Sequence, residues 1–105
     1  MTNDMAPEEF RRAGHEIVDW IADYLANIRE YPVLTARKPG DLIDALPAQA
    51  PETGEPIERI LADFREQVMP SVTHWNHPRF HAYFSVSASG PGILGEMLTA
   101  ALNVN

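Results

Sequence analysis

Between Pro7 and about Arg29 the apolar positions Phe10, Ala13, Ile17, Ile21, Tyr24 and Ile28 recur at spacings of three, four and seven, the period of an amphipathic helix. Pro7 suits a first helical turn, Glu8 and Glu9 favour the positive end of the helix dipole, and Pro32 forbids continuation. Such a helix would be about 33 Å long, at about 1.5 Å per residue. Val18, Trp20 and Leu25 widen the apolar stripe beyond one narrow seam, so this helix needs more than one neighbour.

Residues 31–56 carry Pro32, Pro39, Pro47, Pro51 and Pro56, a density that excludes a long helix and leaves an extended connector. Within it, Asp41 is positioned to cap a single turn bearing Leu42, Ile43 and Leu46, which would anchor the connector. The pattern predicts a second helix from Pro56 to Met69, with Ile57, Ile60, Leu61, Phe64 and Val68 inward, stopped by Pro70. Ala82-Tyr83-Phe84-Ser85-Val86 reads as a short strand. Beyond it, Ser89 or Gly90 can cap a third helix that has Pro91 in its first turn and carries Ile93, Leu94, Met97, Leu98, Ala101 and Leu102. Asn103 or Asn105 can serve as a left-handed cap, but no basic last turn and no Gly or Pro stop follows, so the chain is expected to continue into a longer polypeptide.

Composition narrows the partners. Across 105 residues, 8 basic side chains face 15 acidic ones, and the net charge of -7 opposes phosphate backbones and anionic membranes, so neither nucleic acid nor membrane is expected as a partner. Fourteen of the acids precede Gln67; from there to Asn105 only Arg79 and Glu96 are charged, a neutral surface that something larger usually covers. The absence of cysteine removes disulfides, thiolate zinc sites and cysteine nucleophiles. The acidic start is unlike a secretory signal, and no apolar run approaches the roughly 18 residues of a membrane span. Only one lysine exists, Lys38, in a polar Arg-Lys-Pro-Gly turn.

Several residues are candidates for chemistry. His74, His77 and His81 are spaced i, i+3 and i+7, which on a helix would gather three imidazoles as a zinc or iron site requires. Pro78 argues against that helix and no carboxylate lies between Glu66 and Glu96, so hydrogen bonding to loop backbone is the favoured role over metal. Trp75, Phe80, Tyr83 and Phe84 form either a core cluster, which composition favours, or the wall of a ligand pocket. Ser85, Ser87 and Ser89 before Gly-Pro-Gly resemble an anion loop only weakly. Glu16, Asp19 and Asp23 read as a solvated face, and Gly14 as a close-packing point.

Four blocks in order carry a resemblance: Phe10 through Tyr24, Pro39-Gly40-Asp41-Leu42, Met69 through Pro78, and Ala82-Tyr83-Phe84 through Leu98. Together they resemble the N-terminal segment of the group II pyridoxal-phosphate-dependent decarboxylases, in the aromatic-L-amino-acid branch. The resemblance implies a mainly α, N-terminal helical dimerisation segment of a fold-type I enzyme whose full chain is α/β. Residues 1–85 would embrace a partner subunit in a cytoplasmic homodimer, with the first helix antiparallel to the partner's second; residues 86–105 would begin the large cofactor-binding domain. It also implies pyridoxal 5'-phosphate as cofactor of the full enzyme, with the anchoring lysine and its aspartate and histidine companions beyond Asn105. Lys38, solvated in its turn, is a poor substitute, so the segment alone is expected to be inactive. Tyr83, Phe84, Ser85 and Val86 carry over as the wall beside the substrate, and Asn105 as a pocket-edge residue. Ser85 and Val86 depart from the family's proline and threonine, and Val86 has no hydroxyl for a ring substituent.

The function expected is therefore part of a carboxy-lyase removing CO2 from an aromatic L-amino acid, in carboxylic acid metabolism, with the remainder of the decarboxylase and a small-molecule substrate as partners. The alternative is a non-catalytic acidic helical dimerisation or interaction module. A relative acting on acidic amino acids fits less well, because Thr73-His74-Trp75 resembles the aromatic branch.

Overall fold

Pro7 opens the first helix of the computed structural model, which describes residues 5–83 and 86–104. Helix α1 spans Pro7–Ala26, with Pro7 supplying a helical φ where no amide partner is needed and Glu8 and Glu9 in the first turn. It ends two to three residues earlier than the pattern suggests. The Asn27 side chain and backbone both donate to the Asp23 carbonyl, at 2.9 and 3.0 Å, and Ile28–Glu30 tightens into a 3-10 turn before Pro32.

Helix α2 is the single turn Asp41–Ala45, entered through Gly40 at φ 93°, a left-handed geometry glycine adopts without strain. Asp41 is thus the first helical residue and not the cap. Its carboxylate turns back to accept the Lys38 N–H at 2.8 Å, which closes the Lys38-Pro39-Gly40 turn.

Helix α3 is entered through Pro56 as expected but its regular α geometry runs only Ile57–Asp63, short of the expected Met69, while irregular helical winding carries on past Pro70. The chain widens into a π turn over Phe64–Val68 and then tightens into a 3-10 turn over Met69–Ser71. Proline has no N–H to return to an earlier carbonyl and its ring crowds the preceding turn, so the irregular windings absorb it. The freed carbonyls find other donors: Ser71 Oγ and Arg37 reach Gln67 O at 3.0 and 3.3 Å, and Thr35 Oγ1 reaches Pro70 O at 2.6 Å. These bonds moor the connector along the end of α3.

Helix α4 spans Gly90–Leu102. Ser89 is its cap, accepting the Gly92 N–H at 3.1 Å, and Asn103, at φ 54°, closes the other end by donating its N–H to Thr99 O. Where the expected strand over 82–86 is described, it is not found: among the described residues there is no strand, and Tyr83 sits at φ 60°, which a strand does not allow. Phe84 and Ser85 lie outside the described residues.

Packing joins α1 to α3 through Trp20, which stacks on Tyr24 (5.3 Å between ring centroids, 8° between planes) and meets the edge of Phe64 at 5.2 Å. Arg12–Glu58 and Arg65–Glu16, at 2.7 and 3.0 Å, flank that contact. On another side of α1, Val18, Ile21 and Leu25 face Ile93, Leu94 and Met97 of α4 across an open groove. Ala13 is the one buried hydrophobic residue among those described, whereas Phe10 is 65% exposed and Leu98 and Leu102 are also open to solvent. The radius of gyration is 16.1 Å, against about 13 Å for a closed globule of this size. The broad apolar stripe of α1 is therefore not closed within the described residues. Gly14 is not a packing point here either, because a Cβ at that position would meet nothing within 4 Å. Among the described residues no helix is long and apolar enough to cross a membrane.

Candidate functional site

The segment from Val72 to Tyr83 is a series of tight turns whose side chains alternate between inside and outside. His74 donates its backbone N–H to Val33 O at 2.9 Å, His77 donates to His74 O, and Phe80 donates to His77 O, both at 3.0 Å. These bonds turn His74 and His77 inward. His74 is 2% exposed, the most buried side chain among those described. Its Nδ1 lies 2.7 Å from the Tyr24 hydroxyl of α1, and its ring packs against Tyr24 and Tyr31 at 5.6 and 5.0 Å. His77 Nδ1 accepts the Arg79 N–H at 3.0 Å. The His77 ring thus bonds loop backbone as expected, whereas the His74 ring bonds a side chain of α1. His81 is exposed, and among the described residues no three histidine, aspartate or glutamate side chains converge on a metal position.

The electrostatics follow from burial. Desolvation, with a smaller contribution from neighbouring His77, holds the His74 pKa below its ordinary value and favours the uncharged ring that shares a hydrogen bond with the Tyr24 hydroxyl. Burial raises the Tyr24 pKa, opposed by a hydrogen bond from Asn76 and reinforced slightly by Tyr31. The phenol therefore stays protonated at neutral pH.

With the histidines inside, the aromatic residues stand outside. Trp75 stacks on Phe80 (5.4 Å, 16°) and on Tyr83 (5.4 Å, 28°), and Phe80 and Tyr83 lie 6.2 Å apart. They form a surface platform and not the core cluster that composition favours: Trp75 is 50% exposed and Tyr83 is 78% exposed. Tyr83 holds a left-handed φ of 60°, which costs a bulky residue roughly 1–2 kcal/mol and keeps its ring on the platform. Val86, farther along, is 87% exposed. Of the other expected wall residues, Phe84, Ser85 and Asn105 lie outside the described residues. The exposed parts of Trp75 and Tyr83 give this cluster an apolar aromatic surface.

The residues present do not fit pyridoxal phosphate by themselves. That cofactor needs a packed lysine amine and a carboxylate opposite its ring nitrogen. Lys38 is exposed, at a cleft shared with Thr35, Arg37, Leu42, Ile43 and Ser71 to which none of the platform aromatics contributes. No acidic residue occurs between Glu66 and Glu96, the stretch that holds the platform.

The pattern along the chain missed two contacts, Tyr24 with His74 and the Asn76 carboxamide oxygen with the Ala88 N–H at 2.8 Å. The first had a signal, since a tyrosine on an apolar seam needs a partner for its hydroxyl. The second joins residues twelve apart in irregular backbone and has no periodic signature.

Comparison with known proteins places these features. Residues 39–105 match the pyridoxal-dependent decarboxylase conserved domain. The chain is 54% identical over 103 residues to phenylacetaldehyde synthase of Petunia hybrida, covering 98% of this chain and 20% of that protein. Among solved structures, Rhodiola rosea 4-hydroxyphenylacetaldehyde synthase superposes with a TM-score of 0.87 at 42% identity, and Catharanthus roseus tryptophan decarboxylase in complex with L-tryptophan with 0.86 at 41%. Each superposition covers 97% of this chain and 22% of the other. The chain thus spans about a fifth of the length of the curated relatives it matches.

Proposed function

The chain belongs to the family of pyridoxal-dependent decarboxylases, and on that premise we propose that it is the N-terminal part of an enzyme that removes CO2 from an aromatic L-amino acid. Pyridoxal phosphate is the family's cofactor, and its anchoring amine comes from outside these 105 residues. The segment's own share is to bind and orient: Tyr83, Phe84, Ser85 and Val86 line the substrate side chain, Asn105 edges the pocket, and Trp75 and Phe80 back Tyr83. Residues 1–85 form the helical, partner-embracing unit and residues 86–105 begin the cofactor-binding domain. The enzyme works as a cytoplasmic homodimer.

The observation that carries this reading is the exposed Trp75–Phe80–Tyr83 platform. Solvent-facing aromatic stacks are costly to leave uncovered, and this one offers the flat apolar surface an indole or phenyl side chain needs. The open apolar faces of α1 and α4 support the larger assembly, because a surface of that extent is stable when covered.

A second reading, aldehyde formation from the same class of amino acid, is favoured by the 54% identity to a phenylacetaldehyde synthase. The test covers both. The full polypeptide containing this segment, loaded with pyridoxal phosphate, is given L-tryptophan, L-tyrosine, L-phenylalanine and L-glutamate, and CO2, amine and aldehyde are measured. CO2 with amine from the aromatic substrates alone is the expected result. Aldehyde in place of amine selects the second reading, and release from glutamate alone overturns the aromatic assignment. Tyr83→Ala should raise KM about tenfold with cofactor content unchanged, a loss typical of one ring contact; unchanged kinetics remove Tyr83 from the pocket.

A further inference from the structure

The Tyr24 ring is held among aromatic neighbours. It stacks on Trp20 at 5.3 Å with 8° between planes, Trp20 in turn meets the edge of Phe64 of the π turn at 5.2 Å, and Tyr31 stands against Tyr24 at 5.0 Å and 64°. A phenol packed in this way leaves its hydroxyl a fixed point on α1. That hydroxyl lies 2.7 Å from His74 Nδ1, a contact between residues fifty positions apart. The His74 ring also packs against Tyr24 and Tyr31, at 5.6 and 5.0 Å, but such contact has no direction, and an imidazole turned over about its last torsion packs almost as well. The hydrogen bond separates the two orientations, because turning the ring over puts a carbon where Nδ1 stood.

Two platform rings are built directly on this histidine. Trp75 is the next residue along the chain and donates its N–H to Thr73 O at 3.1 Å, so the tight turn that buries His74 turns the indole outward. His77 donates its N–H to His74 O, and Phe80 donates to His77 O, both at 3.0 Å. Trp75 and Phe80 therefore leave the outer side of one series of turns whose inner side begins at His74, and they stack on each other at 5.4 Å. Tyr83 joins them by stacking on Trp75, also at 5.4 Å.

We propose that Tyr24 is a positioning residue for the aromatic platform: its hydroxyl fixes the His74 ring, and through the His74 turns it presets Trp75 and Phe80 for an aromatic substrate. A side chain ordered before the substrate arrives adds no ordering cost to binding, and the hydroxyl supplies that order from α1. With the hydroxyl removed, the His74 ring is held by packing and by its backbone bond to Val33 O alone, and the indole next to it gains freedom that binding must then remove. The proposal rests on the pocket reading above and deepens it, because Tyr24 belongs to α1 and not to the platform itself.

The test uses the full enzyme loaded with pyridoxal phosphate and compares wild type with Tyr24→Phe, His74→Phe, the double variant and Tyr83→Ala. Measurements are KM and kcat with an aromatic amino acid, bound pyridoxal phosphate, and exchange of the Trp75 amide hydrogen. Tyr24→Phe keeps the aromatic ring and is expected to raise KM about three- to tenfold, the ordering of one large side chain moved from folding to binding, with kcat and bound cofactor within about twofold of wild type. Trp75 exchange should speed with it. In the His74→Phe background the hydroxyl has no ring nitrogen to act on, so removing it is expected to change KM by less than about twofold, a non-additivity that a general loss of stability does not produce. An equal rise in both backgrounds overturns the positioning role, as does a wild-type KM in Tyr24→Phe alongside a raised KM in Tyr83→Ala; either result leaves the pocket reading standing. If His74→Phe fails to fold, Tyr24→Phe decides alone: a raised KM with faster Trp75 exchange and kcat held supports the role, and a raised KM with unchanged exchange overturns it. A silent Tyr83→Ala overturns the pocket reading and the proposal with it.

Discussion

Tyr24→Phe isolates one hydroxyl. The substitution keeps the ring that stacks on Trp20 at 5.3 Å and meets Tyr31 at 5.0 Å, and it removes the oxygen 2.7 Å from His74 Nδ1. His74 is 2% exposed, so water does not readily replace the lost hydroxyl, and a buried polar atom without a partner costs about 1–3 kcal/mol. The site sits near the lower half of that range because Tyr24 is itself only half-buried and a small rearrangement admits solvent from its side. The cost falls on the local turn, since the His74 N–H bond to Val33 O and the two succeeding turns depend on the ring staying inside. In the full enzyme, amide exchange of His74, His77 and Phe80 should therefore speed by roughly 5- to 30-fold, the factor that corresponds to about 1–2 kcal/mol of local stability. Exchange in α4 beyond Ser89, at residues 93–102, should be unchanged. Rates at His74 and His77 within twofold of wild type would show that the hydroxyl contributes nothing to the turn.

Two further predictions concern pH and assembly. The folded-state pKa of His74 lies below its ordinary value because burial, and then His77, disfavour the imidazolium, so the unfolded turn binds more protons than the folded one as pH falls through about 6.5. Local protection of residues 73–80 should be full above that pH and decline below it, and His74→Gln should flatten the dependence; exchange corrected for intrinsic rate at pH 7.5 and 5.5 is the measurement. Phe10, 65% exposed on an apolar groove with Gly14, Val18 and Met97, belongs to the surface proposed to meet a partner subunit. Phe10→Asp should shift the full enzyme from dimer toward monomer in sedimentation velocity, and a dimer undiminished at micromolar concentration would remove this end of α1 from the interface.

A local signal suffices where one residue type has one physical meaning. Pro7, Pro56 and Pro91 each mark a helix start, because a ring that fixes φ and lacks an N–H is harmless only there. Ser89 caps α4 for a similarly local reason. Pro70 shows the limit. Its missing donor is local, yet whether the chain breaks or rewinds depends on Thr35, Arg37 and Ser71 arriving to satisfy the carbonyls it strands, and two of those lie more than thirty residues away. Asp41 failed as a cap for the opposite reason. Gly40 took the left-handed turn before it, and the carboxylate found a nearer donor in the Lys38 N–H.

The candidate site divides along the same line. That Trp75, Phe80 and Tyr83 lie together was legible, because ten residues of loop cannot carry them far apart; that they face outward was not, because the inward places are taken by His74 and His77, whose claim to burial rests on Tyr24 and Val33 in distant parts of the chain. An imidazole outcompetes an indole for the interior here only because a phenol hydroxyl waits for it. Composition, which ranks tryptophan above histidine for burial, has no access to that hydroxyl. The buried polar residues and the exposed aromatic ones are thus two consequences of a single pairing, and which rings face outward follows from which side chain α1 can hydrogen-bond.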